Sequence, residues 1–365
     1  MIAPGAGVVV FVLVGLLGLI VGMAVVILIH KVARSVLRWR RREYLDAARR
    51  ALVQIVADED EAVAALLVPG GRRETRALEA VSREMLAKTR GASGARIAEV
   101  LECIGTTRRA RRRVGRPGAI GRARAATLLG HTRLEGDLVL LIPLLTDRSR
   151  DVRLAATSAL AALGHASAAP ALLASADGRR RLPTGTIAAA LVTLGPDTGE
   201  ALRDALRLAE PRASLIAANV LGRFNGPSAI PELCAALTQN GWSDVRRAAA
   251  AALGGLGSPD AVAELAAALH GDGDVGVRAA AASALGEIGS SDAVDALRRG
   301  VVDRAHLVAR SSAIALARSG ARGEAILIAM DARAGKEAAH ATEALTMQRL
   351  AESRRRPNSR VRLVA

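Results

Sequence analysis

The feature that most constrains this chain is a nine-residue stretch that recurs at an interval of about 30 to 32 residues. Residues 245–253 read VRRAAAAAL, and residues 277–285 read VRAAAASAL. A repeat of this length is typical of helix pairs that stack into a helical solenoid. Such a stack offers an extended surface rather than a closed pocket, so the repeat favours binding over catalysis.

Composition favours one elongated body over two globules. The 365 residues would suffice for two average domains, but the repeat accounts for most of this length. Aromatic residues make up 1% of the chain, and alanine fills many core-type positions. Each repeat therefore buries little apolar area and must gain its stability from its neighbours.

The formal charge of +16 comes almost entirely from arginine, because Lys31, Lys88 and Lys336 are the only lysines. Such a charge suits nucleic acid, anionic lipid or an acidic protein. A chain rich in Ala, Arg and Gly also reflects a GC-rich coding sequence, which weakens the charge as a sign of function. Cys103 and Cys234 lack metal-type or disulfide-type spacing, so we expect small buried residues in a reducing compartment.

An uncharged apolar segment lies near the N-terminus, at residues 8–29. As a helix it would be about 33 Å long, enough for the core of a bilayer. Residues 1–7 contain no basic side chain, unlike the start of a secretory signal peptide, so the segment predicts an uncleaved anchor.

Six cations follow this segment closely, whereas the residues before it are uncharged. They are Lys31, Arg34, Arg38, Arg40, Arg41 and Arg42. The positive-inside rule then places the N-terminus outside and the rest of the chain in the cytoplasm. The same cations either contact anionic lipid or are only solvated, and the sequence leaves both open.

We divide the chain into four parts. Residues 1–30 form the N-terminal transmembrane anchor, and residues 31–118 form a juxtamembrane, degenerate helical region that ends in an arginine-rich linker. Residues 119–335 form the repeat solenoid, and residues 336–365 form a terminal helix and a basic tail.

The sequence of each repeat predicts two helices, with characteristic residues where the helices begin and end. In the second helix of one unit the apolar residues fall at i, i+3, i+4, i+7, i+8 and i+11, namely Val152, Ala155, Ala156, Ala159, Leu160 and Leu163. Residues suited to a left-handed conformation follow such helices at Gly164, Gly195, Asn225, Gly257, Gly289 and Gly320. Prolines suited to the start of a first helix stand at Pro143, Pro170 and Pro231.

The pattern D-V-R-x-A-A-x-x-A-L-x-x-L-G at residues 151–164, repeated at residues 244–257, resembles the bacterial HEAT-like repeats of the phycobilisome-lyase type. The whole layout is similar to that of bacterial membrane-anchored HEAT-repeat proteins. The resemblance implies an all-α fold, a right-handed α-solenoid of HEAT-like helix pairs preceded by one transmembrane helix. It also implies a single-pass protein of the bacterial cytoplasmic (inner) membrane.

In this family an Asp near the turn and an Arg that opens the second helix form an internal ladder. Asp151 with Arg153, and Asp244 with Arg246, match that motif. Arg278 has Asp274 four residues back, and Arg310 lacks a comparable Asp because Asp303 is distant in sequence; the units at Ile187 and Leu215 have neither residue. We expect these arginines to be structural, with contact to an acidic partner as the alternative.

The family also lines its concave face with the second helices. The resemblance therefore implies a smooth groove made by small exposed residues at Thr157, Ala161, Ala250, Gly254, Ala282 and Gly286. Such a groove suits a helix or an extended segment of a partner better than a small polar ligand.

Motifs that carry chemistry are absent from the sequence. The six histidines are scattered and form no H-E-x-x-H motif, and no phosphate-binding loop or nucleophile elbow is present. Residues 272–274, read DGD, predict a turn rather than a calcium loop, because the twelfth position is Ser283 instead of Glu. We therefore predict no catalytic, cofactor-binding or metal site, and no cofactor.

These observations predict a non-enzymatic, inner-membrane-anchored scaffold that presents its solenoid to a protein partner on the cytoplasmic side. One alternative is an enzyme or enzyme accessory of the bilin-lyase-like HEAT type. Another is a membrane-tethered nucleic-acid binder that uses the arginines of residues 108–113. Nucleic acid is the less favoured partner because the repeats have almost no aromatic side chains on which bases could stack.

Overall fold

A computed structural model describes residues 5–57, 71–89, 91–208, 210–224, 226–333 and 335–355. Most of these residues are helical, and none of them lies in a strand. The chain divides into two compact units. Unit 1 comprises residues up to Arg113 together with His131–Arg133, and unit 2 comprises Val114–Gly130 and the residues from Leu134 onward.

Unit 1 contains four helices, which are α1 (Gly5–Ala57), α2 (Arg72–Leu86), α3 (Ala92–Cys103) and α4 (Thr106–Val114). The first three pack on one another around buried apolar side chains such as Leu52, Ile97 and Leu101. Arg96 joins α3 to the end of α1, since its Nη1 donates to the carbonyl oxygen of Val56 at 3.1 Å.

The segment predicted to be an arginine-rich linker begins with helix α4. Two of its arginines pair with carboxylates of the same unit: Arg109 lies 3.2 Å from Glu79, and Arg111 lies 2.9 Å from Glu102. The segment is thus partly a structural element and not only a linker.

The predicted membrane anchor is wrong. Within the described residues, no helix combines the length and the apolar character needed to cross a membrane. A spanning helix needs about 20 consecutive, predominantly apolar residues, and among the residues that the structure describes no helix meets this requirement. This finding contradicts the predictions of a transmembrane helix at residues 8–29 and of a single-pass location in the inner membrane.

The lipid contact predicted for the cations after this segment has no support in the structure. Lys31, Arg34 and Arg42 are exposed on α1. The side chains of Arg38, Arg40 and Arg41 lie outside the described residues, as do residues 356–365 of the terminal helix and basic tail predicted at residues 336–365.

Unit 2 is a series of helix pairs that stack in chain order. The helices are α5 (Ala119–Thr132), α6 (Leu138–Leu141), α7 (Arg150–Leu163), α8 (Ala169–Asp177), α9 (Thr184–Leu194), α10 (Gly199–Leu208), α11 (Pro211–Leu221), α12 (Ile230–Gln239), α13 (Ser243–Leu256), α14 (Val262–Gly271), α15 (Val275–Ile288), α16 (Ser291–Gly300), α17 (His306–Arg318), α18 (Ala321–Asp331) and α19 (Lys336–Arg355). Short 3-10 turns lie at Glu135–Asp137, Ile142–Thr146, Ala166–Ala168, Pro196–Thr198, Pro227–Ala229 and Pro259–Ala261.

Most of the residues predicted to end the second helices are confirmed in that role. Gly164, Gly257 and Gly289 take the left-handed conformation after α7, α13 and α15, with φ of 84°, 66° and 66°. Gly195 and Gly320 also have positive φ, but with an extended ψ. The prediction for Asn225 falls outside the described residues.

Successive second helices pack closely because a glycine of one faces an alanine of the next. The four contacts are Gly130 with Ala159, Gly222 with Ala252, Gly254 with Ala284, and Gly286 with Ala315. A Cβ placed on Gly254 would lie 2.7 Å from the Cα of Ala284, which is too close for any larger residue. These positions therefore set the spacing between neighbouring repeats.

Candidate functional site

Three arginines of the second helices connect neighbouring repeats of unit 2, each by two hydrogen bonds to one largely buried aspartate. We call Arg122–Asp147, Arg246–Asp272 and Arg278–Asp303 the inter-repeat pairs. The donor to acceptor distances are 2.8 and 2.9 Å in the first pair, 2.7 and 2.9 Å in the second, and 3.1 and 3.2 Å in the third. All six side chains are largely buried. Such bidentate geometry is the strong form of an Arg–carboxylate contact.

The pairing differs from the expected ladder. Each arginine reaches the aspartate of the following turn, 25 or 26 residues later in the sequence, because consecutive turns stack on one another. Asp244 was expected to join the ladder at Arg246, but it lies exposed in the first turn of α13 and pairs with Arg247 at 2.8 Å. Asp303, which the sequence placed too far from Arg310, is instead the partner of Arg278.

The aspartates of these pairs also organise their own turns. Asp272 accepts from the backbone amide of Asp274 at 2.8 Å, and Asp274 caps α15 by accepting from the amide of Val277 at 3.0 Å. The D-G-D segment is thus the predicted turn. Its carboxylates have protein donors, and the described residues contain no group of three or more metal-binding side chains.

Hydrogen bonding keeps these aspartates ionised. Arg122 holds the pKa of Asp147 below its ordinary value. Burial favours the protonated form of Asp272 and of Asp303, but hydrogen bonds from Arg246 and Arg278, with help from backbone amides, outweigh it and lower the pKa of each carboxyl.

Arg153 holds the same place in α7 but has no inter-repeat pair. Its side chain is 8% exposed, and its Nη1 donates to the carbonyl oxygens of Asp147 at 2.9 Å and Arg148 at 3.3 Å. Its Nε is buried without a partner, and among the described residues no carboxylate pairs with Arg153. Asp151, expected to be its partner, lies exposed at the start of α7.

In the second helices, the exposed residues stand one position after the residues that were predicted to line the groove. Thr157, Ala250 and Ala282 are fully buried, and Gly254 lies in a helix contact. One residue turns a helix by about 100°, so a shift of one position exchanges an outer face for an inner one.

We call the observed line the second-helix surface. It comprises Ser158, Ala189, Asn219, Ala251 and Ser283, followed one turn later by Ala162, Thr193, Arg223, Gly255 and Glu287. Between α9 and α11 this surface forms a groove of about 600 Å³ that Ala189, Val192, Asn219 and Arg223 help to line. Its side chains are small or polar, as expected for a surface that receives another chain.

The cysteines and histidines show no reactive arrangement in the described residues. Cys234 is half-buried, and burial raises its pKa to about 11. Cys103 was expected to be buried but is exposed on α3. Burial also lowers the pKa of His131 and of His270.

Comparisons with known families identify the repeats. Residues 233–318 match the family model of HEAT repeats, and residues 152–178 and 215–239 match the PBS lyase HEAT-like repeat. The chain carries HEAT-like repeats of the PBS lyase type. The matches confirm the predicted repeat type but show neither bacterial origin nor membrane anchoring. A comparison with curated proteins gives no match.

Solved structures with a similar fold come from several kinds of protein. Human deoxyhypusine hydroxylase in complex with glycerol is 21% identical, with 76% of this chain and 97% of that chain covered and a TM-score of 0.31. Kap121p is 14% identical, with 83% of this chain and 41% of that chain covered and a TM-score of 0.48. The complex of CpcE and CpcF of phycocyanin lyase from Nostoc is 19% identical, with 74% of this chain and 94% of that chain covered and a TM-score of 0.27. Identities and TM-scores this low carry no argument about activity.

Proposed function

We propose that this chain is a non-enzymatic scaffold that binds a protein partner along its second-helix surface. The observation that supports the proposal is the continuity of this surface. Its exposed positions recur from α7 to α15, once in each repeat. Stacked repeats generally use such extended surfaces to hold other proteins.

The chemistry of the surface favours a helix or an extended peptide as the occupant. Small residues such as Ala189, Ala251 and Gly255 let a second backbone approach closely, and Asn219 and Arg223 supply hydrogen-bond donors beside them. A peptide can therefore gain contact area from many weak contacts and orientation from a few polar ones.

No described feature favours the alternative of a bilin-lyase-like enzyme or enzyme accessory. A nucleic-acid role is also less favoured, because Arg109 and Arg111, two of the arginines it would use, already pair with Glu79 and Glu102. Backbone phosphates bind best to cations that are free of such partners.

A steric block of the surface tests the proposal. The full chain and its Ala251→Trp variant would be used as affinity baits, and a co-purifying protein would be identified and titrated calorimetrically. The control is Ala267→Trp, since Ala267 is equally small and exposed but lies on a first helix, α14.

We expect Ala251→Trp to weaken binding by about tenfold or more, equivalent to one well-packed interface residue, while Ala267→Trp binds normally. A partner that binds both variants equally would contradict the proposed surface. Substrate turnover by the purified chain without any bound protein would contradict the non-enzymatic role.

A further inference from the structure

The absent inter-repeat pair at Arg153 has a defined structural cause. Gly178 follows α8 as Asp272 follows α14, and the two residues share an extended conformation, with φ of −68° in both and ψ of 164° and 137°. Gly178 also lies 25 residues after Arg153, the spacing that separates Asp147 from Arg122. Glycine therefore stands where three other turns have a carboxylate, at Asp147, Asp272 and Asp303.

The space that this carboxylate would fill is open. A Cβ on Gly178 would meet only the carbonyl oxygen of Ser175, at 4.0 Å. Nearby aspartates are already engaged: Asp177 accepts from the backbone amides of Arg212 and Ala213, and Asp147 pairs with Arg122. Neither of them forms an ion pair with Arg153.

Gly178 borders an apolar groove of about 740 Å³ between α8 and the Ile142–Thr146 turn. Ile142, Leu145, Ala171 and Ala174 supply apolar contacts, and Arg179 and Arg180 line the same groove. We call this the basic groove. Its arginines are held near Arg153, because Arg180 donates to the carbonyl oxygen of Thr146 at 3.1 Å while Arg153 binds the next two carbonyls.

Further basic side chains lie near the basic groove. The exposed arginines of the two adjoining turns are Arg148, Arg150, Arg179, Arg180 and Arg181, and none of them forms an ion pair with a described residue. The apolar lining contains no aromatic side chain on which a nucleic-acid base could stack. An apolar groove with a basic rim complements a peptide that has both acidic and apolar side chains.

We propose that the basic groove binds an acidic peptide segment of a partner protein. An Asp or Glu of that segment takes the place of the carboxylate that Gly178 lacks, and an apolar side chain enters between the Ile142–Thr146 turn and α8. This site lies on the first helices of the repeats. It is therefore separate from the second-helix surface, and either site can fail without the other.

Selection from a random peptide library tests the proposal without knowledge of the natural partner. A display library of 16-residue peptides would be selected against the immobilised full chain, and the enriched peptides would be synthesised with a fluorescent label. We expect enriched sequences that combine Asp or Glu with Leu, Ile, Val or Phe. Failure to enrich any peptide, or enrichment of peptides without acidic residues, would overturn the proposal.

Two variants then locate the binding site. Gly178→Asp supplies the absent carboxylate within the chain and should weaken peptide binding about tenfold or more, as should the double variant Arg179→Glu with Arg180→Glu. Gly178→Asn controls for shape without charge. Arg298→Glu with Arg299→Glu is the matched control, because these adjacent arginines are also exposed at the end of a first helix.

The controls should bind within about twofold of the unaltered chain, a difference too small to reflect a lost charge pair. Binding that survives both Gly178→Asp and the Arg179 and Arg180 reversal would overturn the assignment. A 20-base-pair DNA duplex serves as the competing ligand, and DNA binding that depends on Arg179 and Arg180 in the absence of any selected peptide would show a nucleic-acid site instead. Ala251→Trp should leave peptide binding unchanged. This variant therefore distinguishes a failure of the basic-groove proposal from a failure of the proposed second-helix surface.

Discussion

The repeats from α13 to α17 and those from α7 to α11 have the same helices but different polar connections. In the later region, Arg246 and Arg278 each bind an aspartate of the next turn. In the earlier region, Arg153 has no carboxylate partner. Thr184, at the start of α9, and Ser214, in α11, form no inter-repeat pair either. The apolar residues of both regions are equally buried, so apolar stacking suffices for the fold.

The earlier region replaces the inter-repeat pairs with neutral or backbone contacts. Asp177 accepts from two backbone amides at the start of α11, and Ser214 donates to the carbonyl oxygen of Ala205. These bonds satisfy the local polar groups, while the exposed arginines beside the basic groove, Arg148, Arg150, Arg179, Arg180 and Arg181, form no ion pair with a described residue. The comparison teaches that the same fold can use its arginines in buried ion pairs in one region and leave exposed arginines without ion pairs in another.

Removing an aspartate should damage the later region most. Asp303→Ala would leave Arg278, whose side chain is only 4% exposed, as a buried charge without a carboxylate partner and with only its hydrogen bond to the carbonyl oxygen of Asp272. We expect the free energy of local unfolding of α15 and α17 to fall by about 3–5 kcal/mol. Hydrogen exchange followed by mass spectrometry measures this loss helix by helix.

An exposed ion pair of the same region provides the control. Asp295 pairs with Arg322, and both side chains are more than half exposed. Asp295→Ala should therefore cost less than about 1 kcal/mol. Equal losses in the two variants would contradict the structural role given to the inter-repeat pairs.

The sequence predicted the repeat type and the helix punctuation because both depend on local patterns. The apolar spacing of residues 152–163 and the glycines after α7, α13 and α15 are read directly from neighbouring residues. The partner of each arginine depends instead on how turns stack, and a sequence motif tends to assign a near neighbour such as Asp244 where the structure uses Asp272.

The candidate surfaces were harder to predict for the same reason. Thr157 and Ser158 are both small residues of one helix, and only the packing of the next repeat decides that Thr157 is buried and Ser158 exposed. The basic groove was missed entirely. The signal that would have found it is the glycine at position 178, which aligns with Asp147, Asp272 and Asp303 in three other turns.

Replacing the arginines themselves should sharpen the contrast between the regions. Arg278→Met leaves Asp303 without its partner and should cost about 3–5 kcal/mol in α15 and α17. Arg153→Met removes a buried charge that has no carboxylate, although two bonds to carbonyls are lost. These effects oppose each other, so we expect a loss of about 1 kcal/mol or less in α7. Equal losses measured by hydrogen exchange would show that Arg153 is satisfied as fully as Arg278.

Supplying the absent carboxylate should make the earlier region resemble the later one. Gly178→Asp places an acceptor opposite Arg153 and reduces the conformational freedom of the unfolded chain. We expect the free energy of local unfolding of α7 and α8 to rise by about 1–2 kcal/mol. Gly178→Asn should give only the smaller, entropic part, and a loss of stability in Gly178→Asp would contradict the assignment of this position.

Acid should produce the smallest difference between the regions, because a protonated carboxyl can still accept hydrogen bonds. Folding lowers the pKa of Asp272 and Asp303, so the folded chain holds these two protons less tightly than the unfolded chain does. The two pairs therefore stabilise the fold above the unfolded pKa of about 4 and lose this contribution as the pH falls below it. Hydrogen-exchange protection, corrected for intrinsic rates, should drop more in α13 and α15 than in α9 and α11 between pH 6 and about pH 3.5. A uniform drop across both regions would show that the inter-repeat pairs contribute no pH-dependent stability of their own.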